Sequence, residues 1–81
     1  MSALDDVEKL KESWMRIITE VDLTSNSSHA LLNRLIGLVM DYYLLDRCCG
    51  TEINQMPYLL ILMAARTKVE DEILYRMGEM K

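Results

Sequence analysis

The stretch PYLLILMAARTKVEDEILYRMGEM, residues 57–80, carries Tyr58, Leu62, Ala65, Val69, Ile73, Met77 and Met80 at intervals of three and four. That near-heptad spacing puts them on one side of a helix and predicts a seam running almost to the end of the chain. Pro57 suits the first turn of such a helix, where its missing N–H has no helical partner to lose. Off the seam, the first half of this third helix adds Leu59, Leu60, Ile61 and Met63, whereas residues 66–81 are strongly charged. A seam this long needs a neighbouring helix to cover it.

The preceding segment supplies one. Helix two is expected from about His29 to Cys49, after a polar loop (Asp22 to Ser28) that ends in a serine cap, and it closes at Gly50, which tolerates the left-handed conformation that ends a helix. Leu31, Leu32, Leu35, Ile36, Leu38, Val39, Met40, Tyr42, Tyr43, Leu44 and Leu45 cover most of its circumference, leaving Asn33, Arg34, Gly37 and Asp41 as a narrow polar stripe. A helix apolar over so much of its surface is central in its fold or buried on two sides. In a chain of three helices, burial on two sides implies cover from outside. Gly37 costs about 1 kcal/mol against alanine in a helix interior, which either serves a close helix crossing or is merely tolerated. Thr51 to Met56 forms the second connector, so helices two and three are predicted as an antiparallel hairpin.

Working back to the N-terminus, Leu4, Val7, Leu10, Trp14, Ile17, Ile18 and Val21 share one face of a first helix that Ser2 is expected to cap. Asp5 with Lys9 and Glu12 with Arg16 sit at i,i+4 on the opposite side, in the favourable acid-first order. Trp14 reads as core. No segment alternates with the period of two that a half-buried strand requires. The expected architecture is all-α: one helical domain over residues 1–81, with an amphipathic N-terminal helix packed on a hairpin.

Composition narrows the function classes. At 81 residues the chain buries only about 60% of its unfolded surface, and with 51% hydrophobic and 27% charged residues it is too apolar to be disordered. Its net charge is −4, and the nine basic residues are scattered among thirteen acids rather than gathered on a stripe. Nucleic-acid binding is therefore not expected, because phosphate neutralisation needs a concentrated basic face. Nor is membrane insertion: the longest nearly unbroken apolar run, Met56 to Ala65, is half the roughly 20 residues a spanning helix needs. The start of the chain has no basic segment followed by an apolar one, so the expected location is the cytoplasm.

Catalytic groups do not assemble from the spacing. His29 is the one histidine, the three glycines are isolated, and Cys48 and Cys49 lack further ligands at metal-binding spacing. The cysteines read as small side chains at a helix end in a reducing compartment. Asp41 with Asp46, and Glu70 to Glu72, read as solvated faces. No catalytic residue, cofactor or metal is assigned, and the chain is not expected to be an enzyme.

What remains is apolar surface in excess of one small core. Met40, Met56, Met63, Met77 and Met80 coincide with it, and flexible thioethers adapt to a partner's shape. The expected function is protein binding. Its candidate contact residues are Leu38, Tyr42 and Leu45 on helix two, with Tyr58, Leu59, Leu62, Met63, Val69, Ile73 and Met77 on helix three. A homodimer closed through the same surplus is the alternative.

The runs Tyr58 to Ala65 and Val69 to Arg76 resemble the C-terminal helix of the small co-chaperones of type III secretion needle subunits, which are helical proteins of similar length. The resemblance covers about a third of the chain. It implies a cytoplasmic protein that pairs with a second, tetratricopeptide-like chaperone, the two keeping the needle subunit monomeric until export. The long first helix, Leu4 to Val21, departs from members in which that helix is shorter, and this bears on where the docking face lies.

Overall fold

The computed structural model describes residues 3–79 and contains α1 (Ala3–Thr19), α2 (Ser28–Cys49) and α3 (Met56–Glu79), with a short 3-10 turn, Leu23–Ser25, between the first two helices. No strand occurs among the described residues. The Ser2 cap and the Met80 end of the seam lie outside them. α2 and α3 run antiparallel: Ser28 at the start of α2 meets Arg76 near the end of α3, and Tyr42 stands level with Arg66. α1 packs against both helices, giving a rod of 48 × 19 × 18 Å.

Local chemistry sets the ends. The Ser27 side chain accepts the Ala30 N–H at 3.1 Å, so α2 begins at Ser28, one residue earlier than the periodicity suggests. At its other end Gly50 adopts φ 54°, where a side chain would be strained, and donates to the Asp46 carbonyl at 3.2 Å. α3 starts at Met56, with its N–H on the Asn54 side chain at 3.2 Å and Pro57 in the first turn. The Gln55 amide donates to Asp46 at 2.9 Å, which ties this connector back to α2.

α1 stops at Thr19, short of the expected Val21. Ile17, Ile18 and Thr19 are successive β-branched residues, poor at continuing a helix, and the Thr19 hydroxyl donates back to the Met15 carbonyl at 2.8 Å. Two amides, Glu20 and Val21, then converge on the Arg16 carbonyl at 2.8 and 3.0 Å. The carbonyls this end leaves over are taken by α3, whose Lys68 ammonium donates to Ile17 (2.7 Å), Ile18 (3.2 Å) and Val21 (3.0 Å). Two turns on, the Arg76 guanidinium donates to the carbonyls of Leu23 (3.2 Å) and Thr24 (3.3 Å) while pairing with Glu72 at 2.9 Å. The polar segment expected to be a plain loop is thus clamped to α3, and it inserts a buried residue, Leu23, into the core.

Lys68→Met keeps the aliphatic stem and removes the ammonium, which leaves three carbonyls to whatever water can reach them. Loss of such charge-assisted bonds costs about 1–3 kcal/mol. For a chain of this size that corresponds to a drop of roughly 5–20 °C in melting temperature, measurable by circular dichroism. Faster amide exchange confined to residues 19–21 should accompany it; an unchanged melt would show that the clamp contributes nothing.

The core consists of Val7, Trp14 and Ile17 from α1, Leu23, Leu31, Leu38, Leu45 and Cys49, and Leu62, Ala65 and Val69 from α3. The predicted seam of α3 is therefore buried in its middle. Tyr58 and Ile73 are half-buried, and Met77, beyond the reach of α1, is exposed. Asp41 differs from its reading as a solvated acid: it is half-buried and accepts the Trp14 indole N–H at 2.8 Å. Arg34, in the same stripe, donates to Asn26 at 2.7 Å. Part of the polar stripe of α2 thus faces α1 and its connector rather than water. An apolar face of α2 is left outside in its place.

Candidate protein-docking face

The exposed apolar side chains of α2 are regular. Leu32, Ile36, Val39 and Tyr43 recur at intervals of four, three and four, and Met40 lies beside them. This is a second heptad stripe, rotated by one residue from the buried stripe Leu31, Leu38 and Leu45. α3 repeats the arrangement. Met56, Leu60, Met63, Thr67, Glu70, Leu74 and Met77 keep the same four-and-three spacing along its exposed side, all apolar except Thr67 and Glu70.

The two outer stripes adjoin. At one end Leu32 and Met77 flank an apolar groove of about 220 Å³ whose lining includes Leu31 and Ile73. Halfway along, the Arg66 guanidinium lies over the Tyr42 ring, 5.3 Å from its centroid, and pairs with Glu70 at 3.2 Å. α1 does not cover this face: its ties to the hairpin, Trp14 to Asp41 and Lys68 to the end of α1, emerge on the other flanks of α2 and α3. The result is a two-helix apolar surface whose residues have the spacing that receives a further helix, knobs into holes.

The candidate contact residues divide. Leu38, Leu45, Leu62 and Val69 are buried in the chain's own core and are closed to a partner docking on this fold. Tyr42, Leu59 and Ile73 are half-buried between the stripes, and Met63 and Met77 stand exposed on the outer stripe of α3. Tyr58 is half-buried near α1, where burial and then the Glu8 carboxylate raise its hydroxyl pKa above the ordinary value. The residues of this face that lie outside the expected contact set are Leu32, Ile36, Val39, Met40, Tyr43, Met56, Leu60 and Leu74. Their signal was present as the second four-and-three interval on each helix.

Gly37 makes no close crossing within the chain, since a Cβ built there meets nothing within 4 Å. Cys48 is half-buried and Cys49 buried. Burial, and then the adjacent Cys48 and Asp46, raise the Cys49 thiol above its ordinary pKa, which lowers its thiolate fraction and its reactivity. His29 is exposed in the first turn of α2. Among the described residues no three His, Cys, Asp or Glu side chains gather as a metal site, and no helix is long and apolar enough to cross a membrane. Comparison with known protein families, curated proteins and solved structures gave no match.

Proposed function

We propose that this chain is a non-catalytic protein-binding module whose docking surface is the outer face of the α2–α3 hairpin. The supporting observation is that both helices carry a second, exposed heptad stripe and that the two stripes adjoin. Large contiguous apolar patches mark interaction sites on otherwise stable proteins, and a heptad pattern selects a helical occupant. The resemblance to needle-subunit co-chaperones supplies a partner class, because the matching runs contribute Leu59, Leu60, Met63 and Leu74 to this face or its edge. In that role, in the cytoplasm, the face would cover the assembly surface of a helical needle subunit, together with a tetratricopeptide-like chaperone, and so hold the subunit off polymerisation.

The test is co-expression with the needle subunit and tetratricopeptide-type chaperone of the source organism's type III secretion system, using the wild-type chain and the double variant Ile36→Asp, Leu74→Asp. Both positions are exposed, so the variant should keep its helical spectrum while co-purification of the partners falls at least tenfold. A folded double variant that retains its partners would refute the docking face. A wild-type chain that captures neither protein would remove the secretion assignment.

A further inference from the structure

Resting on that reading of the face, we propose that its occupant in the isolated protein is a second copy of the same chain, packed antiparallel about a twofold axis that crosses α2 beside Val39 and Met40 and α3 between Thr67 and Glu70. Area, charge and orientation support this. The large apolar side chains of the two outer stripes are 41–62% exposed. Together they leave on the order of 1,000 Å² in water, against the roughly 800 Å² that each partner gives to a standard specific interface. A lone monomer seldom exposes a patch of that size.

The charge on the face points to a self-match. The chain carries −4 overall, yet the charges on and beside the outer stripes balance: Glu70 pairs with Arg66 of the same chain at 3.2 Å, and Arg47, 5.8 Å over the Tyr43 ring, stands next to Asp46 at the end of the α2 stripe. A partner recognised by charge would find no net sign to read, whereas a second copy meets a neutral surface without repulsion. The Arg66–Glu70 pair selects the orientation. A twofold axis parallel to the helices would lay each α3 over the other copy's α2 and keep the two Arg66–Glu70 pairs at one level, like charge beside like, while an axis across the helices sets each Arg66 against the other copy's Glu70. About that second axis, Ile36 falls opposite the other copy's Tyr43, and Met63 opposite its Leu74. An isologous interface of this kind closes on itself and stops at two copies.

The experiment combines solution mass with a symmetry-directed cross-link. Light scattering across a dilution series under reducing conditions should give twice the 9.4 kDa chain mass, and Ile36→Asp and Leu74→Asp, each separately, should return the single-chain mass with an unchanged helical spectrum. In a Cys48→Ser, Cys49→Ala background, Val39→Cys lies near the axis and should be joined to its own copy by a short bis-maleimide. Ser13→Cys, exposed on α1, should be joined at least tenfold less. A single-chain mass at every concentration overturns the second copy. So does a dimer that survives both aspartates, or equal cross-linking at 13 and 39. A monomeric wild type whose partner capture is still lost with the double variant would refute the second copy and leave the docking face standing; a monomer whose capture is indifferent to those aspartates would refute both.

Discussion

Val69→Asp is expected to unfold this protein. Val69 is fully buried midway along α3, within the cluster that joins all three helices. Among the described residues, the two cations next to it in sequence are already engaged: the Lys68 ammonium by the carbonyls at the end of α1 and Arg66 by Glu70. Breaking or omitting one partner of a buried ion pair costs about 3–5 kcal/mol. A chain of this length has roughly 4–12 kcal/mol of total stability, so little or nothing remains after the substitution. Circular dichroism at 25 °C should show most of the helical signal lost and no cooperative melt. Val69→Ala, which costs only cavity and transfer terms, should fold with a lowered midpoint. The periodicity places Ile73 on the same seam, but the structure separates it from Val69: Ile73 is half-buried beside the groove that opens near Arg76. An aspartate there can reach water, so Ile73→Asp should weaken the fold without abolishing it. A native melt for Val69→Asp would mean that α3 does not pack through this side.

That difference indicates how far the sequence can be read. Each helix is recoverable from local signals: a serine cap ahead of α2, expected at Ser28 and found at Ser27, the glycine at position 50, the proline in the first turn of α3, and intervals of three and four. The antiparallel hairpin followed from the short connector. The side each helix turns inward did not follow, because α2 carries two heptad stripes one residue apart, Leu31–Leu38–Leu45 and Leu32–Ile36–Val39–Tyr43, and apolarity alone does not rank them. The choice comes from contacts distant in sequence. The Trp14 indole engages Asp41 across 27 positions and Lys68 reaches the end of α1 across about 50, and these fix the rotation of α2 and α3 relative to α1. Leu38, Leu45, Leu62 and Val69, contact residues by apolarity alone, accordingly lie in the core, while Ile36, Met40, Tyr43 and Leu74 are in the open. The buried Leu23 is another long-range outcome, since a polar loop gains a reason to pack only when Arg76 supplies donors for its carbonyls.

Trp14 is the residue on which the docking of α1 depends. It is fully buried, it is the chain's single tryptophan, and it contributes both the largest side chain of the core and the hydrogen bond that turns Asp41 inward. Trp14→Ala should cost about 3–5 kcal/mol through lost burial and the cavity left behind. For a domain of this size that lowers the melting temperature by on the order of 20 °C. Trp14→Phe separates the two contributions. It retains most of the packing and removes the donor, while half-exposed Asp41 can turn to water, so the expected loss is nearer the roughly 1.5–3 kcal/mol of a hydrogen bond to a charged group. Asp41→Leu should be comparable, because it strands the buried indole N–H. Chemical denaturation followed by helical signal gives all three values on one scale. If Trp14→Phe were as damaging as Trp14→Ala, the hydrogen bond would outweigh packing. If neither variant moved the midpoint, α1 would not be seated on the hairpin through Trp14, and the assignment of inner and outer stripes would have to be exchanged. With α1 seated as described, the outer face of the hairpin stays open in Trp14→Phe, so that variant should keep its partner binding while losing stability. Stability and docking thereby become separable by substitution: one is governed from the Trp14 side of α2, the other from the Ile36 side.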